Sequence, residues 1–213
     1  MFELSPSPTE QATTAGEGTP GTRYVYKASL VGSAHEFELR DEGLSWQARG
    51  KAGIWPYADI VAVRLSYRPM SMQSRRFRAD IEHRSGQRIT AFSTSWHTVV
   101  LMTPQDRDYR AFIEQLHARL KAARGTVALV GGIGPMTYAG GCLLLALVAI
   151  AIAGLLARAV ATGEFAGALF LVGFAALFGW QMGGFVWRNK PRLYTFDELP
   201  ATLLPPPPRN PAK

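Results

Sequence analysis

The chain has 213 residues, 47% of them hydrophobic and 18% charged, with one cysteine and a formal net charge of +7. A single Cys142 excludes a disulfide scaffold and a multi-cysteine zinc site. The average also hides a split. Residues 24–125 carry 26 of the 39 charged residues, whereas 136–187 carry only Arg158 and Glu164. A polar domain is joined to an apolar one.

The first 23 residues are rich in Ser, Thr, Pro, Gly and Glu. They lack the basic start and apolar run of a secretory signal, so a disordered tail on the cytoplasmic side is expected.

Strand signals follow. Tyr24 to Leu30 is aromatic and β-branched. Glu36 to Arg40 alternates, with Phe37 and Leu39 on one face and Glu36, Glu38 and Arg40 on the other. Asp41-Glu42-Gly43 and Gly50-Lys51 read as tight turns around an alternating Leu44 to Ala48. Gly53-Ile54-Trp55 leads into a Pro56-Tyr57-Ala58-Asp59 corner. Ile60 to Tyr67, Arg76 to Glu82 and Arg88 to Phe92 complete seven short strands. One helix is expected next, with Thr103 as N-cap, Pro104 in the first helical position and Asp106 at the positive helix start. Tyr109, Phe112, Ile113, Leu116 and Leu120 then form a single apolar stripe.

Residues 126–135 contain Gly131, Gly132, Gly134 and Pro135 and read as a linker. Two apolar runs follow, at about 137–157 and 165–187. Each is near the ~20 residues that cross a bilayer as a helix. They form a transmembrane hairpin over 136–187, with a short turn after Arg158. Arg119, Lys121 and Arg124 precede it, and Arg188, Lys190 and Arg192 follow it. The positive-inside rule places both flanks, and so both termini, in the cytoplasm. The second span repeats small residues at Ala175, Gly179 and Gly183, facing either the Ala149, Ala153 and Ala157 stripe of the first span or a partner helix. Residues 188–213 read as a Pro-rich cytoplasmic tail, with Pro205 to Pro208 favouring polyproline II.

Seven antiparallel strands capped by a C-terminal helix is the pleckstrin-homology (PH) order of elements. The expected fold class is α+β: a bent PH-like sheet or barrel, followed by an all-α membrane hairpin. The run ELRDEGLSWQARGKAGIWPYADIVAVRLSYRPMSMQSRRFRADI resembles a family of uncharacterised bacterial membrane proteins. Those pair a bacterial PH-like domain with a transmembrane hairpin, and the likeness covers residues 24–192. The Ile54 to Ile60 corner is similar to the Pro-Tyr-acidic turn of bacterial PH-like domains. The resemblance implies fold and an inner-membrane location. It implies no activity.

No enzyme motif emerges. His35, His83, His97 and His117 form no paired ligand spacing and read as surface or rim residues. Ser93-Thr94-Ser95-Trp96-His97 lacks a nucleophile elbow. No metal, cofactor or catalytic residue is expected. The suggestive feature is basic. Arg64, Arg68, Arg75, Arg76 and Arg78 crowd around a loop that also carries Met70 and Met72. Arginine clusters bind phosphate or carboxylate groups, and methionines suit insertion or an adaptable contact. Arg76, Arg78, Asp80 and Glu82 share a strand face, so acids partly offset the arginines. Two readings stay open. In one, the domain binds a protein partner or a second copy at the membrane surface. In the other, Arg68, Met70, Met72, Arg75, Arg76 and Arg78 contact anionic phospholipid. Nucleic acid is not an expected partner, because no recognition motif appears and the membrane flanks explain much of the excess charge.

Overall fold

The computed structural model describes residues 22–29, 31–69, 75–96 and 102–207. Within them the protein is α+β, with several sheets and two long apolar helices.

Four strands form an antiparallel meander: β1 (Arg23–Tyr26), β2 (His35–Leu39), β3 (Leu44–Ala48) and β4 (Lys51–Trp55). Alternation decides the faces, so Phe37 and Leu39 are buried while Glu36 and Glu38 stay at the surface. The β3–β4 connection is a two-residue turn at Arg49 and Gly50, with φ of 52° and 73°. Two left-handed residues in succession match the twist of a tight hairpin.

A 3-10 turn over Tyr57–Asp59 leads into the second sheet. Its centre is β5 (Ile60–Tyr67), β6 (Phe77–His83) and β7 (Arg88–Phe92), all antiparallel. A small hairpin follows, β8 (Thr94–Trp96) with β9 (Met102–Pro104). Then α1 (Asp106–Ala122) lays Tyr109, Phe112, Ile113, Leu116 and Leu120 into the core against Tyr24, Phe37 and other buried side chains.

The helix begins later than expected. Thr103 and Pro104 pair with Ser95 and Thr94 in the β8–β9 hairpin instead of capping α1. Gln105 takes the N-cap position without a side-chain capping bond, and its N–H is used by the Ser93 carbonyl.

The segment expected as a linker contains a strand. β10 (Ala128–Gly131) lies parallel to β5, with Ala128 opposite Ala62 and Gly131 opposite Leu65. The outer edge of β5 offers unpaired backbone groups, and β10 satisfies them. Gly132 is a close-approach residue. Its φ is 87°, and a Cβ there would stand 2.4 Å from the Asn189 carbonyl oxygen. Two helices follow, α2 (Pro135–Ala161, 27 residues) and α3 (Phe165–Arg188, 24 residues). At 1.5 Å per residue each exceeds the ~30 Å hydrocarbon core of a bilayer. Both are long and apolar enough to cross a membrane, and the protein buries none of their most apolar stretch. Arg158 sits in the last turn of α2, and the reversal is made at Thr162 to Glu164.

The tail after α3 returns to the soluble domain. β11 (Arg192–Leu193) pairs with β10 and completes the order β11-β10-β5-β6-β7. Lys121 near the end of α1 holds Asp197, and Arg110 near its start donates to the Pro205 carbonyl at 2.6 Å. The segment therefore runs back along α1 as a strap. Leu203 and Leu204 are fully buried in the core, with Tyr194, Phe196 and Leu199 packed against it. This differs from the Pro-rich tail, set apart from the domain, read from the sequence over 188–213. Five apolar side chains spaced through the segment have a groove to fill.

Candidate functional site

Strand direction organises the basic cluster. β10 runs directly into α2, and β5 is parallel to β10. The C-terminal end of β5, at Tyr67 and Arg68, therefore lies level with the start of α2. α3 returns to the same place. Asn189, the first residue past it, is wholly buried. Its Nδ2 donates to the Tyr67 carbonyl at 2.9 Å, and its Oδ1 accepts from the Tyr67 N–H at 3.0 Å. The amide thus imitates a strand neighbour for the last residue of β5. The Gly132 N–H donates to the Leu65 carbonyl at 2.8 Å, and the Ile133 N–H to the Asn189 carbonyl at 3.1 Å. The Arg188 guanidinium lies over the Tyr67 ring, 4.8 Å from its centroid. Gly132 and Asn189, which flank the two helices, are thus hydrogen-bonded to one end of one sheet.

That end carries part of the expected cluster. Arg68 and Arg75 are exposed, and neither has an ion-pair partner among the described residues. The Arg68 N–H donates to the Arg76 carbonyl at 2.8 Å, which brackets the β5–β6 loop. Met70 and Met72 lie outside the described residues. Asp106 at the start of α1 is held above the usual carboxylate range by burial, with the Arg75 charge pulling the other way. Lys190 adds another exposed cation beside Asn189.

The remaining arginines are less free. The Arg76 guanidinium sits 3.6 Å from the centre of the Phe92 ring, half-buried, and desolvation lowers its affinity for the proton. Arg78 donates through Nε and Nη2 to Asp80 Oδ1 at 2.9 and 2.7 Å, and Thr90 donates to the same oxygen at 2.6 Å. Arg64 is half-buried opposite Asp80, with Nη1 buried and no hydrogen bond to it among the described residues. Geometry thus separates Arg68 and Arg75, which face solvent, from Arg64, Arg76 and Arg78, which belong to the sheet face.

Ala175, Gly179 and Gly183 line a groove of about 420 Å³ between α2 and α3, together with Ala149 and Ala153. A Cβ at Gly179 or Gly183 would meet nothing within 4 Å, so α2 does not clamp the glycines.

Two histidines are more buried than their sequence context suggested. In α1, His117 Nδ1 is 2.7 Å from the Ile113 carbonyl and Nε2 is 2.9 Å from the Tyr194 hydroxyl. A carbonyl only accepts, so Nδ1 carries the proton and Tyr194 donates to Nε2. His35 is buried beside Tyr26, with Nδ1 2.9 Å from its hydroxyl. Burial lowers the pKa of both, and the Arg49 charge adds to this at His35. Each folded-state pKa lies below the ordinary 6.5, so the unfolded chain takes up protons first as pH falls. Stability is therefore expected to be full above pH 6.5 and to decline below it. Denaturant unfolding at pH 7.5 and 5.5 measures this, and His117→Gln should flatten the decline.

Sequence reasoning missed Asn189, Tyr194 and Leu203. Asn189 sits between Arg188 and Lys190 and reads as ordinary membrane flank. Among the described residues no group of three or more His, Cys, Asp or Glu side chains could hold a metal ion. Comparison with protein-family models, with curated proteins and with solved structures found no match.

Proposed function

We propose that this protein is a non-enzymatic integral membrane protein. Its PH-like domain works at the cytoplasmic face of the inner membrane and engages anionic phospholipid headgroups through Arg68 and Arg75. The order of elements supports a PH-like module: a four-stranded meander, three further antiparallel strands, then a helix carrying the core stripe. The observation that carries the reading is the parallel pairing of β5 with β10. It points the β5–β6 end, with its two exposed arginines, the way α2 leaves the domain. With both helices in a bilayer, Arg68 and Arg75 stand at headgroup height. The flanking Arg119, Lys121, Arg188 and Lys190 support the cytoplasmic side.

Each basic residue near an anionic leaflet contributes about 1 kcal/mol. The test uses the full chain in nanodiscs of neutral or mixed neutral and anionic phospholipid. Amide exchange at Ile60–Tyr67 and Phe77–His83 is expected to slow in the anionic discs, less so at high salt. The double substitution Arg68→Ala and Arg75→Ala should remove the difference. Equal exchange in both discs would sink the headgroup reading.

A second reading, docking of a protein partner or a second copy, draws on a different place. An aromatic pocket of about 300 Å³ lies between the two sheets, and neither Arg68 nor Arg75 is among its lining residues.

A further inference from the structure

That pocket shares Tyr26 and Trp55 with the core, and the headgroup reading does not use it. Trp46, Trp55 and Phe92 give it aromatic walls, and Tyr26 and His35 stand at its base. Tyr26 donates its hydroxyl proton to the Thr90 carbonyl at 2.6 Å, so His35 must donate Nδ1–H to the Tyr26 oxygen. The base of the pocket is thereby ordered.

Its charge is one-sided. Arg49, Lys51 and Arg88 line it, and among the described residues no Asp or Glu does. Glu82 occupies Arg88 at 2.7 Å. Arg49 and Lys51 have no ion-pair partner among the described residues. Arg49 is also held in the left-handed turn, which fixes the direction of its backbone. An aromatic hollow with two unpaired cations at its rim selects an apolar side chain next to a carboxylate.

The chain contains such a segment. Residues 1–21 hold Glu3, Glu10 and Glu17 and no Lys or Arg, and Phe2 and Leu4 flank Glu3. This stretch enters the fold at β1, the strand that supplies Tyr26. The 12 residues between position 10 and β1 reach up to about 40 Å when extended, far more than the length of β1. A short tether also raises the local concentration to the order of millimolar, so a weak contact suffices.

We propose that this pocket binds an acidic, aromatic segment, and that residues 2–10 of the same chain occupy it. The inference rests on the pocket alone and is independent of headgroup binding by Arg68 and Arg75.

The test compares the full chain with its Phe2→Ser, Glu3→Lys variant, both in detergent micelles, by the ring signals of His35. A bound carboxylate favours the imidazolium, so the His35 pKa is expected to be higher in the parent chain than in the variant. The peptide MFELSPSPTE, added to the variant, should restore the parent signals in a saturable way. Arg49→Asn, which tolerates the left-handed turn, combined with Lys51→Ala should weaken that peptide on the order of tenfold. An unchanged melting temperature would show that this pair leaves the fold intact. Identical His35 signals in parent and variant would overturn occupancy by the chain's own segment. Failure of the peptide to restore them, or restoration by glycerophosphate instead, would overturn the ligand class.

Discussion

A chain ending at Lys190 is expected to lose the cooperative unfolding of its soluble domain. The strap that follows α3 contributes Leu203 and Leu204 to the core, and β11 to the edge of the second sheet. Burying a leucine fully stabilises by about 1.5–3 kcal/mol, so the two together contribute about 3–6 kcal/mol. Tyr194, Phe196 and Leu199 add partial burial, and the Tyr194 hydroxyl is the donor that His117 Nε2 accepts from. A small domain has only about 5–15 kcal/mol of net stability, so this loss is comparable to the whole. Thermal melting followed by tryptophan fluorescence in detergent measures it. Leu203→Ala, which leaves the strap in place, should cost about 2–5 kcal/mol. A melting temperature of the shortened chain equal to that of the full chain would remove the strap from the account. The same reasoning says that residues 22–125 do not make a self-sufficient domain, because β10 and the strap lie beyond them.

The second large effect is expected at Asn189. Replacing it with Ala leaves the Tyr67 N–H and carbonyl without the amide that satisfies both. Each buried backbone group left unpaired costs about 1–3 kcal/mol, so the expected loss is about 2–6 kcal/mol. Asn189→Asp keeps one acceptor but sets a buried carboxylate oxygen against the Tyr67 carbonyl, and should cost at least as much as Asn189→Ala. The effect should also be local. Amide exchange should quicken first at Leu65 to Tyr67 and at Ile133, where the helices join the sheet. Uniform destabilisation without that pattern would mean that Asn189 is an ordinary core residue, not the joint between hairpin and domain.

Much of the fold was legible where the physics is local. Alternation placed Phe37 and Leu39 inward and Glu36 and Glu38 outward, and helical spacing found the buried stripe from Tyr109 to Leu120. Length and hydropathy located α2 and α3. The parts that escaped depend on distant pairing. β10 is four residues long, ends in glycine, and becomes a strand only because the edge of β5, more than 60 positions earlier, is free to receive it. Leu203 and Leu204 stand among prolines without any period, and only the groove beside α1 explains them. Thr103 and Pro104 carry a good helix-start signature that a tertiary hairpin overrode.

The candidate site divides in the same way. A cluster of arginines is visible in the sequence, but their availability is not. Arg78 is claimed by Asp80 and Arg76 by the Phe92 ring, whereas Arg68 and Arg75 stay exposed. Their position relative to the helices follows from the β5–β10 register, which no local pattern encodes.

The central claim is that the β5–β6 end of the domain rests at the headgroups. Depth measurement tests it most directly. In a Cys142→Ala background, a fluorophore on Pro69→Cys reports the β5–β6 end, and one on Ser85→Cys reports the opposite β6–β7 turn. In vesicles containing lipids with a quencher near the headgroup, the account predicts strong quenching at position 69 and little at position 85. Equal quenching at both positions, or more at 85, would contradict it.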